Sequence, residues 1–106
     1  MVRNGPGRRG SRWRTARSAC MAAAEFVRAP CFLCGRAIDY DFTRMYPRHR
    51  LAGTVHHVVG LAQNGDPLDP ANLAPAHMAC NTRESNRLRA GKPSMRRIPP
   101  LNSRRW

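Results

Sequence analysis

Acidic residues are scarce in this chain. Six Asp and Glu stand against 19 Lys and Arg in 106 residues, which leaves a formal net charge of +13. Lysine is almost missing too, since Lys92 is the one example. A GC-rich coding sequence accounts in part for arginine over lysine, but not for the shortage of acids. The imbalance points to a polyanionic partner, nucleic acid before membrane. Apolar runs of membrane-spanning length are absent, as is a basic amphipathic anchor, so a membrane partner is not expected. The apolar stretch from Cys20 to Ala24 is too short for a secretory leader and breaks at Glu25. A cytoplasmic protein is the expectation. Aromatic residues are few and the apolar fraction is 42%. One small domain with a marginal core follows, and such domains need a staple. No internal repeat is present.

Residues 1–11 are rich in Gly and Arg and are expected to form a disordered basic arm. From Arg12 to about Val27, Trp13, Ala16, Cys20, Ala23 and Val27 recur at helical spacing, with Ser11 as N-cap and Pro30 beyond the end. Trp13 and Phe26 read as core residues of this helix. Residues 36–50 read as irregular. Their Arg44, Arg48, His49 and Arg50 fit a phosphate-touching loop and a solvated one equally, and His49 reads as a hydrogen-bonded core histidine. Leu51 to Val59 predicts a strand. Gly60 to Ala71 predicts a loop, with turn signals at Asn64-Gly65, Asp66-Pro67 and Asp69-Pro70. A helix is expected from Pro75 or His77 to Ala90, closed by Gly91 and Pro93. Gly91 to Trp106 reads as a basic, proline-containing tail. Seven Arg and one Glu give residues 1–30 a net +6, residues 31–90 carry +2, and residues 91–106 carry +5. Charge is therefore concentrated towards the two ends of the chain, where it supplies backbone affinity rather than sequence readout.

Cys31-x2-Cys34 and His77-x2-Cys80 are two knuckle-spaced pairs of soft or borderline ligands. Four such ligands suit tetrahedral zinc with no open position, which is a structural site. Cytoplasmic cysteines favour metal over disulfide. A Cys31–Cys34 disulfide and a redox-active pair are the competing readings, the latter without the βαβ context that it needs. Cys20 is left over as a small core residue.

Val55-His56-His57-Val58-Val59 puts two adjacent imidazoles among β-branched residues, so in a strand they point to opposite faces. An imidazole is a suitable base near neutral pH. A second imidazole and an amide oxygen can hold a divalent ion with positions left for phosphate. Together with Cys31-Phe-Leu-Cys34-Gly35, Asn64-Gly65-Asp66, Asn72-Leu73 and His77-x2-Cys80-Asn81, the order and spacing resemble the HNH endonucleases, the ββα-metal nucleases, in their zinc-containing phage-type branch. The resemblance covers about Cys31 to Arg87. It implies a small α+β, treble-clef-like ββα-metal domain over residues 12–90, with a two-stranded hairpin bearing His56 and His57.

By the same resemblance, His57 is the general base and His56 and Asn81 are ligands of a catalytic divalent ion such as Mg²⁺, Mn²⁺ or Ni²⁺. Asn72 pins the loop that orients His57. His77 can be read as the final histidine of the motif, but its pairing with Cys80 assigns it to zinc. Arg83 and Arg87, one and two helical turns on from the zinc pair, read as phosphate contacts or as solvated helix charges. The implied function is metal-dependent cleavage of DNA phosphodiesters in a phage or bacterial setting, with phage packaging or other nucleic-acid-processing proteins as partners. A zinc-stabilised DNA-binding module without cleavage is the alternative. Two departures stand out. His56 occupies a position where the family often has Asp, which shifts metal preference away from hard Mg²⁺. Gly60 occupies one where the family often has Pro, which loosens the loop.

Overall fold

The computed structural model describes residues 10–61 and 64–95. The arms expected at 1–11 and 91–106 therefore fall largely outside the described residues. Helix α1 (Gly10–Phe26) is followed by a short helix α2 (Tyr40–Met45), strand β1 (Gly53–His57), strand β2 (Leu73–His77) and helix α3 (Met78–Arg89). The two strands pair antiparallel, with Gly53 opposite His77 and His57 opposite Leu73. This is the expected small α+β fold with its hairpin and closing helix.

The core gathers Ala24, Phe32, Leu33, Ile38, Tyr40, Ala74 and Ala76 around Cys31 and Cys80. Pro75 is fully buried in β2. It has no amide to offer, but its carbonyl accepts from Phe32 N at 2.8 Å, docking the cysteine knuckle onto the strand. Tyr40 Oη donates to the Ala29 carbonyl at 2.7 Å and fixes the turn after α1.

Several expectations shift. The α1 stripe runs Trp13, Ala16, Cys20, Ala24, and Ala23 is exposed. Three consecutive alanines offer no letter by which to choose between them. Phe26, expected in the core, is 88% exposed on the outer side of the last turn. The helix ends there, with Arg28 at φ +54° and Ala29 N bonded to Ala24 O at 2.8 Å. Residues 36–50 are not wholly irregular. Asp39 caps α2 by accepting from Phe42 N at 2.9 Å, and Arg44 pairs with Glu25 at 2.6 Å and with Asp41, tying α2 to α1. That engagement weakens its candidacy as a phosphate contact. His49 is exposed, not buried, and its Nδ1 accepts from Leu51 N at 3.0 Å. The first strand is shorter than Leu51–Val59, and Pro75 lies in β2 instead of opening α3.

The start of α3 has a special arrangement. His77 sits at the N-cap but makes no capping bond with its side chain. The amides of Met78 and Ala79 instead donate to the carbonyls of Ala52 (2.8 Å) and Arg50 (2.9 Å). Helix-end donors are thus satisfied by backbone, and the imidazole is available for other work.

Candidate metal centre and nuclease site

The four ligand atoms of Cys31, Cys34, His77 and Cys80 all lie within 4.8 Å of one another. Cys34 Sγ is 3.5 Å and Cys80 Sγ is 3.9 Å from His77 Nδ1. Sulfur and nitrogen bound to one tetrahedral zinc are expected about 3.6 Å apart from the usual bond lengths. His77 Nε2 lies 3.0 Å from the Ala37 carbonyl. A carbonyl can only accept, so Nε2 carries the proton and Nδ1 the lone pair, the outer-shell device typical of metal-bound histidine. The amides of Cys34 and His77 both donate to Cys31 Sγ, at 3.4 Å.

The thiol chemistry agrees. Burial, then the negative charges of Cys31 and Cys34, push the Cys80 thiol up to about 12. Burial also acts on Cys34, but the Arg36 amide and bonds to Cys31 and Cys80 outweigh it and lower that thiol. Three sulfurs this close do not all ionise without a cation among them, and a bound metal inverts the local acidity. The cluster can hold one zinc.

The two histidines of β1 face different neighbours. His56 is buried, its ring against Phe32 at 5.9 Å between centroids. Its Nδ1 is 2.9 Å from Asn81 Oδ1 on the first turn of α3. His57 is half-buried at the end of β1. Its Nε2 lies 3.2 Å from the Pro67 carbonyl, and its ring stacks on Trp13 of α1.

The loop that supplies Pro67 is held by Asn72, which is buried. Asn72 Oδ1 accepts from Val59 N at 2.7 Å, and Nδ2 donates to the carbonyls of Val59 (3.1 Å) and Asp66 (3.0 Å). Gly65 sits inside this clasp. A Cβ there would come 1.8 Å from the Val59 carbonyl oxygen. Asp66 and Asp69 accept from Leu68 N and Ala71 N, both at 2.9 Å, so these loop acids shape turns.

A family model of the HNH endonucleases matches residues 31–87. The chain belongs to the HNH endonuclease family. No curated protein and no solved structure matches it. HNH domains are typically nucleases that act on DNA, so a nuclease or DNA-binding function follows for this HNH protein at that level. No helix among the described residues is long and apolar enough to cross a membrane.

Of the expected phosphate contacts, Arg83 is exposed on α3. Arg87 is half-buried and donates from Nε to the Pro93 carbonyl at 2.9 Å, so part of its guanidinium holds the segment after the helix. Buried Glu84 holds the same segment, accepting from Met95 N at 2.9 Å and from Ser94 Oγ. The carbonyls of Ala37 and Pro67 and the ring of Trp13 are site components that the sequence does not reveal. A backbone carbonyl has no letter of its own, and Trp13 sits in a stripe that reads as packing.

Proposed function

We propose that this HNH protein is a divalent-metal-dependent endonuclease that hydrolyses DNA phosphodiester bonds, with His57 as general base. The observation that carries the reading is the pairing of His56 with Asn81 at 2.9 Å directly beside His57. Two ligands at right angles on an octahedral ion about 2.1 Å away lie about 3 Å apart. The donor set therefore fits a hard or borderline divalent ion held by His56 and Asn81. Such an ion supplies charge neutralisation at the phosphate and the leaving oxygen.

The chain's own residues perform the rest. Donation from His57 Nε2 to Pro67 O requires the tautomer whose lone pair is on Nδ1, and that nitrogen takes the proton of the attacking water. The water oxygen bonds to phosphorus while the bond to the sugar oxygen breaks. Asn72 keeps the Pro67 carbonyl in place. Arg83, and the part of Arg87 not engaged with Pro93, contact the DNA backbone, and the basic arms add sequence-independent grip. A bacterial or phage setting, a cytoplasmic location and a role beside packaging or other nucleic-acid-processing proteins belong to the same reading.

The burial of His56 favours a second reading, a zinc-stabilised DNA-binding module in which the His56–Asn81 bond is structural. Plasmid incubated with purified protein, with divalent metal or with EDTA, separates the two. Metal-dependent relaxation or linearisation that disappears in His57→Ala is expected. Loss of the base costs roughly 10²–10⁴ in rate. Clear DNA binding with no cleavage in Mg²⁺, Mn²⁺ or Ni²⁺ assigns the protein to the second reading.

A further inference from the structure

The ring of Trp13 stacks on His57 with centroids 5.4 Å apart and planes 23° from parallel. Trp13 belongs to α1, outside the stretch 31–87 that the family model matches. It is half-buried, at the open end of a stripe whose inner members Ala16, Cys20 and Ala24 press the helix onto the domain. The helix therefore delivers a flat, rigid side chain to one face of one particular imidazole.

We propose that Trp13 is a positioning residue for His57, supplying the wall that fixes the plane of the proposed general base; this rests on the nuclease reading. The bond from Nε2 to Pro67 O and the indole restrain different motions. A half-turn of the imidazole about its side-chain bond would put a carbon where Nε2 stands and forfeit the hydrogen bond, so the bond selects the flip state. It does not stop the ring from rocking about the line to the carbonyl. A parallel aromatic face does, because tilting drives one ring edge into the indole and lifts the other away. Together they aim Nδ1 in one direction, as a proton acceptor for a positioned water requires.

Three variants test this: Trp13→Ala, Trp13→Leu, which fills space without a flat face, and Trp13→Phe, which keeps one. Zinc content and thermal unfolding report folding. Single-turnover and steady-state cleavage of a DNA duplex separate kcat from KM. A misaimed base is expected to lower kcat in Trp13→Leu by roughly 10–100-fold, with KM within about twofold of wild type. Trp13→Phe should return to within about threefold. In DNA-free protein the His57 ring protons should resonate upfield, under the ring current, in wild type and Trp13→Phe but not in Trp13→Leu. That spectrum remains decisive on the stacking should Trp13→Ala fail to fold. Trp13→Leu with wild-type kcat, or identical His57 resonances in wild type and Trp13→Leu, overturns the role of Trp13 while an active wild type keeps the nuclease reading. A wild type that binds DNA but does not cleave it in Mg²⁺, Mn²⁺ or Ni²⁺ overturns both.

Discussion

His56 Nδ1 and Asn81 Oδ1 meet at 2.9 Å, joining the first strand to the last helix through two atoms able to ligate one ion. His56→Ala and Asn81→Ala should therefore raise the metal concentration needed for half-maximal cleavage by at least about 10–100-fold, the loss that even an outer-shell partner of a metal ligand causes. His57→Ala should leave any residual activity with an unchanged metal requirement. A Mn²⁺ titration of cleavage rate in the three variants checks the distinction.

Zinc should copurify at one ion per chain. Cys34→Ser and Cys80→Ser should unfold the domain, because ligand loss removes folding free energy on the order of several kcal/mol. Metal analysis beside circular dichroism reads both. A zinc-free protein with native dichroism would contradict the structural site.

Asn72→Ala removes three hydrogen bonds, to the amide and carbonyl of Val59 and to the carbonyl of Asp66. A lost hydrogen bond costs about 0.5–1.5 kcal/mol net, so a lower midpoint of urea unfolding is expected. Cleavage should fall further than stability accounts for, since the carbonyl that holds His57 shifts with the loop. Assay well below the unfolding midpoint isolates that part.

Gly65→Ala should damage the same loop by a different route. The added methyl meets backbone at 1.8 Å and not a movable side chain, so the turn itself has to open. Zinc content should persist while cleavage drops. Full activity in Gly65→Ala would show that the loop tolerates rearrangement.

The arms are best tested by removing residues 1–9 and 96–106, because 10–11 belong to α1 and Ser94 and Met95 are bonded to Glu84. DNA affinity should fall, and the slope of log K against log salt should shrink by about 0.9 for each phosphate no longer neutralised. An unchanged slope would place the electrostatic grip on the domain.

The cluster of Cys31, Cys34, His77 and Cys80 is legible in the sequence because its members come in two tight pairs. His56, His57, Asn72 and Asn81 are candidates by their order along the chain, which a family resemblance preserves. Helix α2 is not, since six residues carry too little periodicity and its cap at Asp39 looks like any loop aspartate. Phe26 is misplaced by its letter because hydrophobicity says that a residue can be buried, whereas the turn at Arg28 decides whether it is. Trp13 shows the converse limit. Its spacing marks the correct helix face, but only the packing of α1 on the hairpin reveals which residue that face meets.

Cys31 and Cys34 precede the hairpin, whereas His77 and Cys80 follow its first strand and loop. One ion held by these four residues would clasp the chain on either side of β1 and the long loop. A backbone cut in that loop would leave two pieces, each keeping two of the four ligands and one strand of the pair. The metal would then act as a rivet between fragments, and the protein could be made in halves that assemble only when zinc is supplied.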